Sequence, residues 1–405
     1  MFIMKRLMLC ILAVVIFAMV AAPAQSQQSA VPGDRDGNTV VSDQELQLAV
    51  QEHKDGKISS DDLAEIRHVH DNYPRTIKDS ANREVTIYKP IERIAVLTTE
   101  DYEVLRTLKA SDKIVAASKY VTGSNETDLL YPEGRRYINV GDPFNTDYEA
   151  LLKADPDIVI SYVTNPKPGE LEKNLKDTGI TVIRMDSGNI SQYLEDIRKM
   201  GYILEKEDQS NAFAAFYNQM LGTYLAEVKK LPDGDKPRVY LEADFGSGRP
   251  YFTVGATHSF DEMLKAAGGR NVYSNITYYK EVSPESTIMQ NPEIILRYKY
   301  LKNIAGLGKK IDDTSGIEAL RNEILSRPEL KNVTAVQQKE VYAFTWDCTR
   351  GGARFFLGLG YLGKWLLPEL FKDYNPREAY QEYLRNFQGL DLDVVNNGVF
   401  AYPEA

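Results

Sequence analysis

The chain has 405 residues, of which 43% are hydrophobic and 26% are charged, so it is long enough for two or three globular domains. Its formal net charge at pH 7 is −10, which argues against a nucleic-acid-binding protein, because these are usually basic. The acidic balance mainly favours solubility.

The first residues predict an exported protein. Lys5 and Arg6 precede an apolar run of about 15 residues that ends at Ala22-Pro23-Ala24, a small-residue cleavage site. We expect a signal peptide at 1–24 and a linker at 25–32; a retained membrane anchor is the alternative, although the run is short for a span. After cleavage only Cys348 remains, so no intrachain disulfide can form. The mature chain is therefore expected in the periplasm or at the cell surface, soluble or tethered.

Residues 33–72 predict a small all-α module that binds calcium. The stretch "DRDGNTVVSDQE" has oxygen ligands at the six positions of an EF-hand loop: Asp34, Asp36, Asn38, the carbonyl of Val40, Ser42 and Glu45. Thr39 stands where the sharp turn favours glycine. A second half-loop, "DGKISSDD" at 55–62, has Gln51 and His53 at its first two ligand positions, which suits calcium poorly. The pair resembles EF-hand and dockerin-like modules, which implies Ca²⁺ and a docked partner protein; the alternative is an acidic, solvated turn.

Strands and helices alternate after Pro74. The stretch "RTIKDSANREVTIYKP" predicts a hairpin with a turn at Ser80–Asn82. "RIAVLTTEDYEVLRTL" predicts a strand, a Thr98-Thr99 cap and a helix, and "KIVAASKY" predicts the next strand. This alternation is typical of a parallel sheet, so we expect an N-terminal α/β lobe at 75–190.

One helix-to-strand passage occurs twice. The stretch "DYEALLKADPDIVISY" at 147–162 aligns without a gap with "SPESTIMQNPEIILRY" at 283–298. The spacing of Thr146 and Glu149 predicts a capping box, and Ser283-Pro284 predicts an N-cap followed by proline at the first helical position. A short apolar strand follows each helix, so each copy is the second half of a βαβ unit. The repeat predicts two similar lobes.

Residues 191–231 predict linking helices without a strand, including one long helix over 208–229. A second α/β lobe is expected at 232–390, with a strand in "KEVYAFTW", a buried helix in "ARFFLGLGYLGKWLLPELF" and a tail at 391–405. The predicted fold class is α/β: two Rossmann-like lobes with parallel sheets, joined by one long helix, plus the N-terminal module.

The chain resembles the substrate-binding proteins of ABC importers for iron–siderophore complexes, haem and cobalamin, the class III periplasmic-binding proteins with a long linking helix. The resemblance lies in five stretches that occur in order: "RTIKDSANREVTI", "NVGDPFNTDYEALLKADPDIVI", "FDEMLKAAGGRNV", "VSPESTIMQNPEIIL" and "YLGKWLLPELF". It implies a ligand held between the lobes. It also implies that Glu149 and Glu285 dock on a permease dimer; the alternative role for both is stabilisation of a helix start.

Open α/β sheets bind ligands at the carboxyl ends of their strands. The candidates at these ends are Thr99, Lys119, Tyr120, Phe144, Tyr162, Asp244, Phe245, Tyr279, Arg297, Tyr298, Trp346 and Arg350. Aromatic rings provide flat apolar walls and arginines provide donor forks, which together suit a bulky anionic chelate or a tetrapyrrole. The main body has a single histidine, His258, and this favours a chelated metal over a bare ion.

Two other functions compete with ligand binding. A secreted enzyme could use the paired carboxylates Glu242 and Asp244, but the sequence contains no nucleophile elbow and no phosphate loop. A surface scaffold could act through the dockerin-like module. We therefore predict a binding protein without a catalytic cofactor.

Overall fold

The computed structural model describes residues 31–123, 129–244, 249–256, 258–299, 313–348 and 354–404. The predicted signal peptide and most of the linker that follows it lie outside these ranges. No helix in the described part of the chain has the length and apolarity needed to cross a bilayer.

A helical pair, α1 (Asp43–Lys54) and α2 (Ser60–Asn72), precedes the main body. Ser42 caps α1 and Ser59 caps α2, each in a capping box with an acidic side chain three residues later. The pair packs on the main body, because its buried side chains belong to the same hydrophobic cluster as the strands that follow. It thus forms a small α-helical module, as the sequence predicts, and this module packs against the main body.

The N-terminal lobe starts with a hairpin and continues as a parallel sheet. Its strands are β1 Arg75–Lys78, β2 Glu84–Ile87, β3 Ile94–Val96, β4 Ile114–Ala117, β5 Ile138–Asn139, β6 Gly141–Asp142, β7 Asn145–Thr146, β8 Ile158–Tyr162 and β9 Thr181–Met185. Its helices are α3 Thr99–Thr107, α4 Lys119–Thr122, α5 Tyr148–Ala154 and α6 Glu170–Asn174. The hairpin β1–β2 is antiparallel, and the main sheet has the order β5-β4-β3-β8-β9 with all neighbours parallel. The predicted hairpin and parallel sheet are confirmed.

Three helices link the lobes: α7 Tyr193–Ile203, α8 Glu207–Tyr217 and α9 Thr223–Lys230. A π-helical turn, Asn218–Gly222, joins α8 to α9, so the helical backbone is continuous over 207–230 and about 36 Å long. The predicted long helix is therefore present, with a widened turn at its middle.

The C-terminal lobe has a mixed sheet. Its strands are β10 Arg238–Asp244, β11 Phe252–Val254, β12 Arg270–Asn271, β13 Tyr279–Glu281, β14 Ile294–Lys299, β15 Val341–Phe344 and β16 Ala401–Tyr402. Its helices are α10 Ser259–Ala266, α11 Pro284–Gln290, α12 Ser315–Leu325, α13 Thr334–Gln338, α14 Phe355–Leu366, α15 Pro368–Phe371 and α16 Pro376–Gln388. The main order is β13-β11-β10-β14-β15-β16, with β10, β14 and β15 parallel. Part of the predicted tail thus adds an antiparallel edge strand, β16.

The two repeat copies occupy equivalent places. Each helix, α5 or α11, ends at a left-handed residue, Asp155 (φ 45°) or Asn291 (φ 40°), and leads into a central parallel strand, β8 or β14. Arg93 donates to the carbonyls of Ala154 and Asp155 at 2.7 Å, and Arg238 donates to the last carbonyls of α11 in the same way. The predicted two similar lobes therefore share arginine caps as well as sequence.

The start of α5 differs from the prediction. Asp147, not Thr146, is its N-cap and accepts a hydrogen bond from the Ala150 amide at 2.9 Å. Thr146 instead lies in β7, which pairs with β6. The cap of α11 is as predicted, with Ser283 accepting from the Ser286 amide at 3.1 Å.

Candidate functional site

The carboxyl edges of the two sheets approach each other around a buried ion pair. Arg354, at the start of α14, donates to Glu103 of α3 at 2.6 Å and to Asp347, just after β15, at 3.1 Å. Burial raises the pKa of Asp186, which follows β9, and the charges of Asp196 and, to a lesser extent, of Glu262 on α10 add to the rise. Groups from both lobes therefore meet at this edge, and we call the space between them the cleft.

The N-terminal edge of the cleft holds a small cluster of oxygen atoms. Tyr162, at the end of β8, donates its phenol to Glu100 Oε2 at 2.6 Å. Thr99 donates its hydroxyl to the same oxygen at 2.9 Å. Thr99 and Tyr162, both predicted as ligand residues, thus share Glu100 as a hydrogen-bond partner. Glu100 is not among the predicted ligand residues. Its place in the sequence, directly after the Thr98-Thr99 cap that follows β3, could have indicated it as a site residue.

A second group on this edge surrounds Asp142. Lys119 forms an ion pair with the Asp142 carboxylate, and its ammonium lies 5.3 Å from the ring centre of Tyr120. Burial acts to raise the pKa of Asp142, but Lys119 and the amides of Phe144 and Asn145 outweigh it, and the pKa lies below its usual value. Those amide bonds fix the turn that presents Phe144, which is 65% exposed.

The C-terminal lobe contributes an aromatic shelf, formed by Phe252, His258, Tyr278 and Tyr279. The ring centres of Tyr278 and Tyr279 are 4.4 Å apart, and Phe252 and His258 flank them at 5.0 and 5.2 Å. Both tyrosines are exposed. Burial lowers the pKa of His258 to about 4, so the shelf is uncharged at neutral pH. It offers a flat apolar surface to a planar or bulky ligand.

Three predicted ligand residues lie inside the C-terminal lobe. Arg297 is buried and contacts the Glu242 carboxylate at 2.7 Å. Tyr298 is fully buried, with its ring 5.3 Å from Phe260, and Asp244 is also fully buried. In this conformation the side chains of Arg297 and Tyr298 pack within the lobe rather than against an occupant of the cleft.

Three further predicted positions cannot be placed. Phe245 and Arg350 lie outside the described residues, and so does the side chain of Trp346. Their assignment as ligand residues stays a prediction.

Glu149 and Glu285 are exposed on the first turns of α5 and α11. Each helix ends where its central strand begins, so its first turn lies toward the carboxyl edge of the sheet. The two glutamates therefore lie on the surface, near the carboxyl edges of their sheets.

The proposed calcium ligands gather in the loop before α1. Asp34, Asp36 and Glu45 each bring one carboxylate oxygen within 4.8 Å of the others. The Asp34 carboxylate accepts hydrogen bonds from the amides of Gly37 and Thr39 at 2.9 and 2.8 Å. Thr39 has a φ of 72°, the left-handed conformation that glycine usually adopts at this turn. Hydrogen bonds from Ser42 and the Arg35 amide lower the pKa of Glu45 to about 2, so its carboxylate is ionised at neutral pH.

Comparisons with known proteins agree on one family. Residues 94–346 match the family model described as periplasmic binding protein. The uncharacterized ABC transporter substrate-binding lipoprotein YvrC of Bacillus subtilis is 25% identical over 305 residues, which cover 74% of this chain and 88% of that protein. A cobalamin-binding protein of Halobacterium salinarum is 26% identical over 231 residues, which cover 56% of this chain and 58% of that protein.

A solved structure shows the same fold. The TroA-like periplasmic binding protein FepB from Veillonella parvula superposes with a TM-score of 0.66 at 20% identity, covering 82% of this chain and 100% of that one. The family match begins at residue 94, so the helical pair α1–α2 lies outside it.

Proposed function

Because the chain belongs to the periplasmic binding protein family, we propose that it binds a metal chelate outside the cytoplasm and delivers it to an ABC importer. The observation that carries this proposal is the pair of opposed carboxyl edges, which meet at the Glu103–Arg354 ion pair; the C-terminal lobe also has the exposed aromatic shelf. The relative in Bacillus subtilis, an ABC transporter substrate-binding lipoprotein, supports both the importer and the location.

Among chelates of the iron–siderophore, haem and cobalamin types, we favour a corrinoid. Glu100 and Asp186 bring carboxyl groups to the cleft, and the described cations beside it already have anionic partners: Lys119 pairs with Asp142, and Arg297 and Arg354 contact internal carboxylates. A trianionic ferric catecholate or the propionates of haem would need cationic partners, whereas cyanocobalamin carries no net charge. The cobalamin-binding relative in Halobacterium salinarum points in the same direction.

Ligand titration tests this proposal. We expect cyanocobalamin to quench the intrinsic fluorescence of the mature protein saturably, and Tyr279→Ala to weaken its binding about tenfold because the shelf loses an exposed ring. Tyr202→Ala, which removes an exposed tyrosine of α7, is the matched control and should bind normally. Saturable binding of haemin or a ferric tricatecholate alone would contradict the corrinoid assignment, and no binding of any chelate would contradict the proposed function.

A hydrolytic role for Glu242 has no support in the geometry. Arg297 and Arg327 contact both oxygens of its fully buried carboxylate at 2.7–2.8 Å, and the Tyr240 phenol donates to it at 3.0 Å. A carboxylate held in this way is unsuited to exchange protons with a substrate. The family consists of solute-binding proteins rather than enzymes.

We also propose that the loop 34–45 binds Ca²⁺. The ligands would be the carboxylates of Asp34, Asp36 and Glu45, with oxygens of Asn38, Val40 and Ser42, a hard-oxygen set that suits this ion. The contact of His68 with Glu205, at 2.6 Å between Nε2 and Oε1, supports a structural role in which the ion stiffens the packed helical pair. A partner protein for this module stays a prediction.

We expect Ca²⁺ to raise the melting temperature of the wild-type protein and Asp34→Ala to remove the rise. Thr39→Gly should increase Ca²⁺ affinity, because glycine adopts the required positive φ without strain. Glu65→Ala, at an exposed acid of α2 outside both candidate loops, is the control and should respond like the wild type. An unchanged melting temperature of the wild type in Ca²⁺ would leave only an acidic turn.

A further inference from the structure

Two neighbouring carboxyl groups, those of Glu100 and Asp101, are buried in the first turn of α3 beside the cleft. Their residues are 9% and 2% exposed. Asp101 accepts hydrogen bonds from the Ser187 hydroxyl at 2.5 Å and from the Thr98 hydroxyl at 2.6 Å. Glu100 accepts from the two hydroxyl groups at the cleft edge described above. In the described part of the chain neither carboxyl group forms an ion pair, so the side chains that contact them are neutral hydroxyl donors.

Hydroxyl partners allow a carboxyl group to gain or lose a proton without losing a hydrogen bond. A hydroxyl group rotates and accepts as readily as it donates, whereas ammonium and guanidinium groups only donate. The buried carboxylates of Glu103 and Asp196 contact such cations, Arg354 and Lys199, and are therefore held in the ionised form. Asp101 can instead carry a proton and donate it to either of its hydroxyl partners.

The surroundings of Asp101 favour that proton. Burial raises the pKa of Asp101 to about 7, and the charges of Glu100 and Asp196 add to the rise, while the hydrogen bonds from its hydroxyl partners oppose it. The other titratable groups around the carboxyl pair come from three further elements: Asp186 in the loop after β9, Asp196 and Lys199 on α7, and Tyr162 at the end of β8. Lys199 contacts Asp196 at 3.3 Å, so its charge is already shared with another acid.

We propose that the carboxyl pair Glu100–Asp101 is a pH-sensitive switch, which takes up one proton when a ligand fills the cleft and so holds that ligand more tightly in mildly acidic surroundings. This rests on the proposed function, because the ligand is the chelate. A bulky uncharged ligand on this edge would exclude water from the carboxyl pair, and the loss of water disfavours the charged form. Binding of the ligand and uptake of the proton then strengthen each other to the same extent.

Asp101 acts here as a positioning residue. It lies below the surface of the cleft, and the neighbouring Glu100 holds Thr99 and Tyr162 at the cleft edge. When Asp101 is ionised, two adjacent carboxylates repel each other in a site with little water, which loosens the hydrogen bonds of Glu100. When Asp101 is protonated, this repulsion is absent and the cleft edge keeps its arrangement.

Titration with cyanocobalamin at about pH 5.5 and about pH 8.5 tests the proposal. We expect the wild type to bind about tenfold more tightly at the lower pH. Asp101→Asn has the shape of the protonated group and should bind equally well at both. Ser187→Ala removes one donor to the carboxylate and should move the midpoint of the pH profile upward. Asp208→Asn, at an exposed aspartate in the first turn of α8, is the matched control and should keep the wild-type profile.

A second measurement needs no ligand. The pKa of Asp101 in the folded protein, about 7, lies above the ordinary aspartate value near 4, so the proton favours the folded state. The stability that this proton provides is lost as the pH rises from about 4 to about 7. The melting temperature of Asp101→Asn, relative to that of the wild type, should therefore increase over this range and level off above it.

The outcomes separate this inference from the proposed function. Equal wild-type affinity at both pH values would overturn the coupling, and a melting-temperature difference that is independent of pH would remove the proton from Asp101. If Asp101→Asn does not fold, an unmoved midpoint in Ser187→Ala overturns the proposal. A pH dependence that persists in Asp101→Asn and disappears in Asp186→Asn would assign the proton to Asp186, with the same result. No binding of any chelate at either pH would contradict the proposed function and the coupling together.

Discussion

Reversing both Glu149 and Glu285 to arginine is expected to abolish chelate uptake, while the affinity of the isolated protein for cyanocobalamin stays within about twofold of wild type. Both glutamates are exposed on the first turns of their helices. At each position the change would replace the expected attraction to a cationic group of the permease by repulsion, which costs several kcal/mol per site when water is excluded. Uptake by cells that lack the native copy, measured beside ligand titration of the purified variant, checks this result.

The matched control is Glu369→Arg with Glu378→Arg. Glu369 follows Pro368 at the start of α15, as Glu285 follows Pro284 in α11, and both control residues are exposed. The net charge changes equally, so a general charge effect would lower uptake in both double variants. Normal uptake by the Glu149/Glu285 variant would contradict the docking assignment, and loss of ligand affinity would move these residues into the cleft.

Replacing Glu242 by leucine is expected to lower the free energy of unfolding by about 3–5 kcal/mol. Its carboxylate is fully buried between Arg297 and Arg327, which are themselves buried. Without it, the two buried guanidinium groups lose their buried anion and keep only Glu323, whose half-exposed carboxylate lies 2.7 Å from Arg327 and 3.8 Å from Arg297. Urea unfolding followed by circular dichroism measures the loss. Glu281→Leu, at an exposed edge-strand position, is the control and should change stability by less than about 0.5 kcal/mol.

A triple variant shows whether the uncompensated charge is the cause. Replacing Glu242, Arg297 and Arg327 together by leucine should recover much of the lost stability, because no buried charge is left unpaired. Wild-type stability of the single variant would mean that water or another anion reaches the arginines. Arg297 would then again be a candidate for direct contact with the ligand.

The sequence predicts the fold better than the site. Helix and strand periodicity, the caps and the repeat are local signals, and they placed the lobes and the connecting helix correctly. Arg297 and Tyr298 show the limit of such signals. They are neighbours near the end of β14, and this strand is buried on both faces, so its position in the chain does not tell which side chains reach the cleft.

The other contacts that the sequence did not predict join residues that are distant in the chain. Arg93 and Arg238 cap equivalent helices but are spaced differently from the repeat, so an ungapped alignment misses them. Glu100 stands in the first turn of α3, where an acid is usual for a helix start, and only the folded chain brings Tyr162 to it. Glu103 and Arg354 are 251 residues apart, and no local pattern pairs them.

The ion pair between Glu103 and Arg354 has a consequence for how cargo leaves. Tyr131 and Tyr383 also contact this pair, and Gln388 of the C-terminal lobe donates to the Glu103 carbonyl at 3.0 Å. Separating the two lobes would break this ion pair and its hydrogen bonds, and hydration of the two charged groups would offset only part of the loss. We therefore expect the ligand to enter through small-amplitude motions of the two lobes, which should rarely separate widely in the free protein. If the chain delivers its ligand to an importer, as proposed, contact with that importer would have to open the lobes, and a slow off-rate in free solution is the expected kinetic signature.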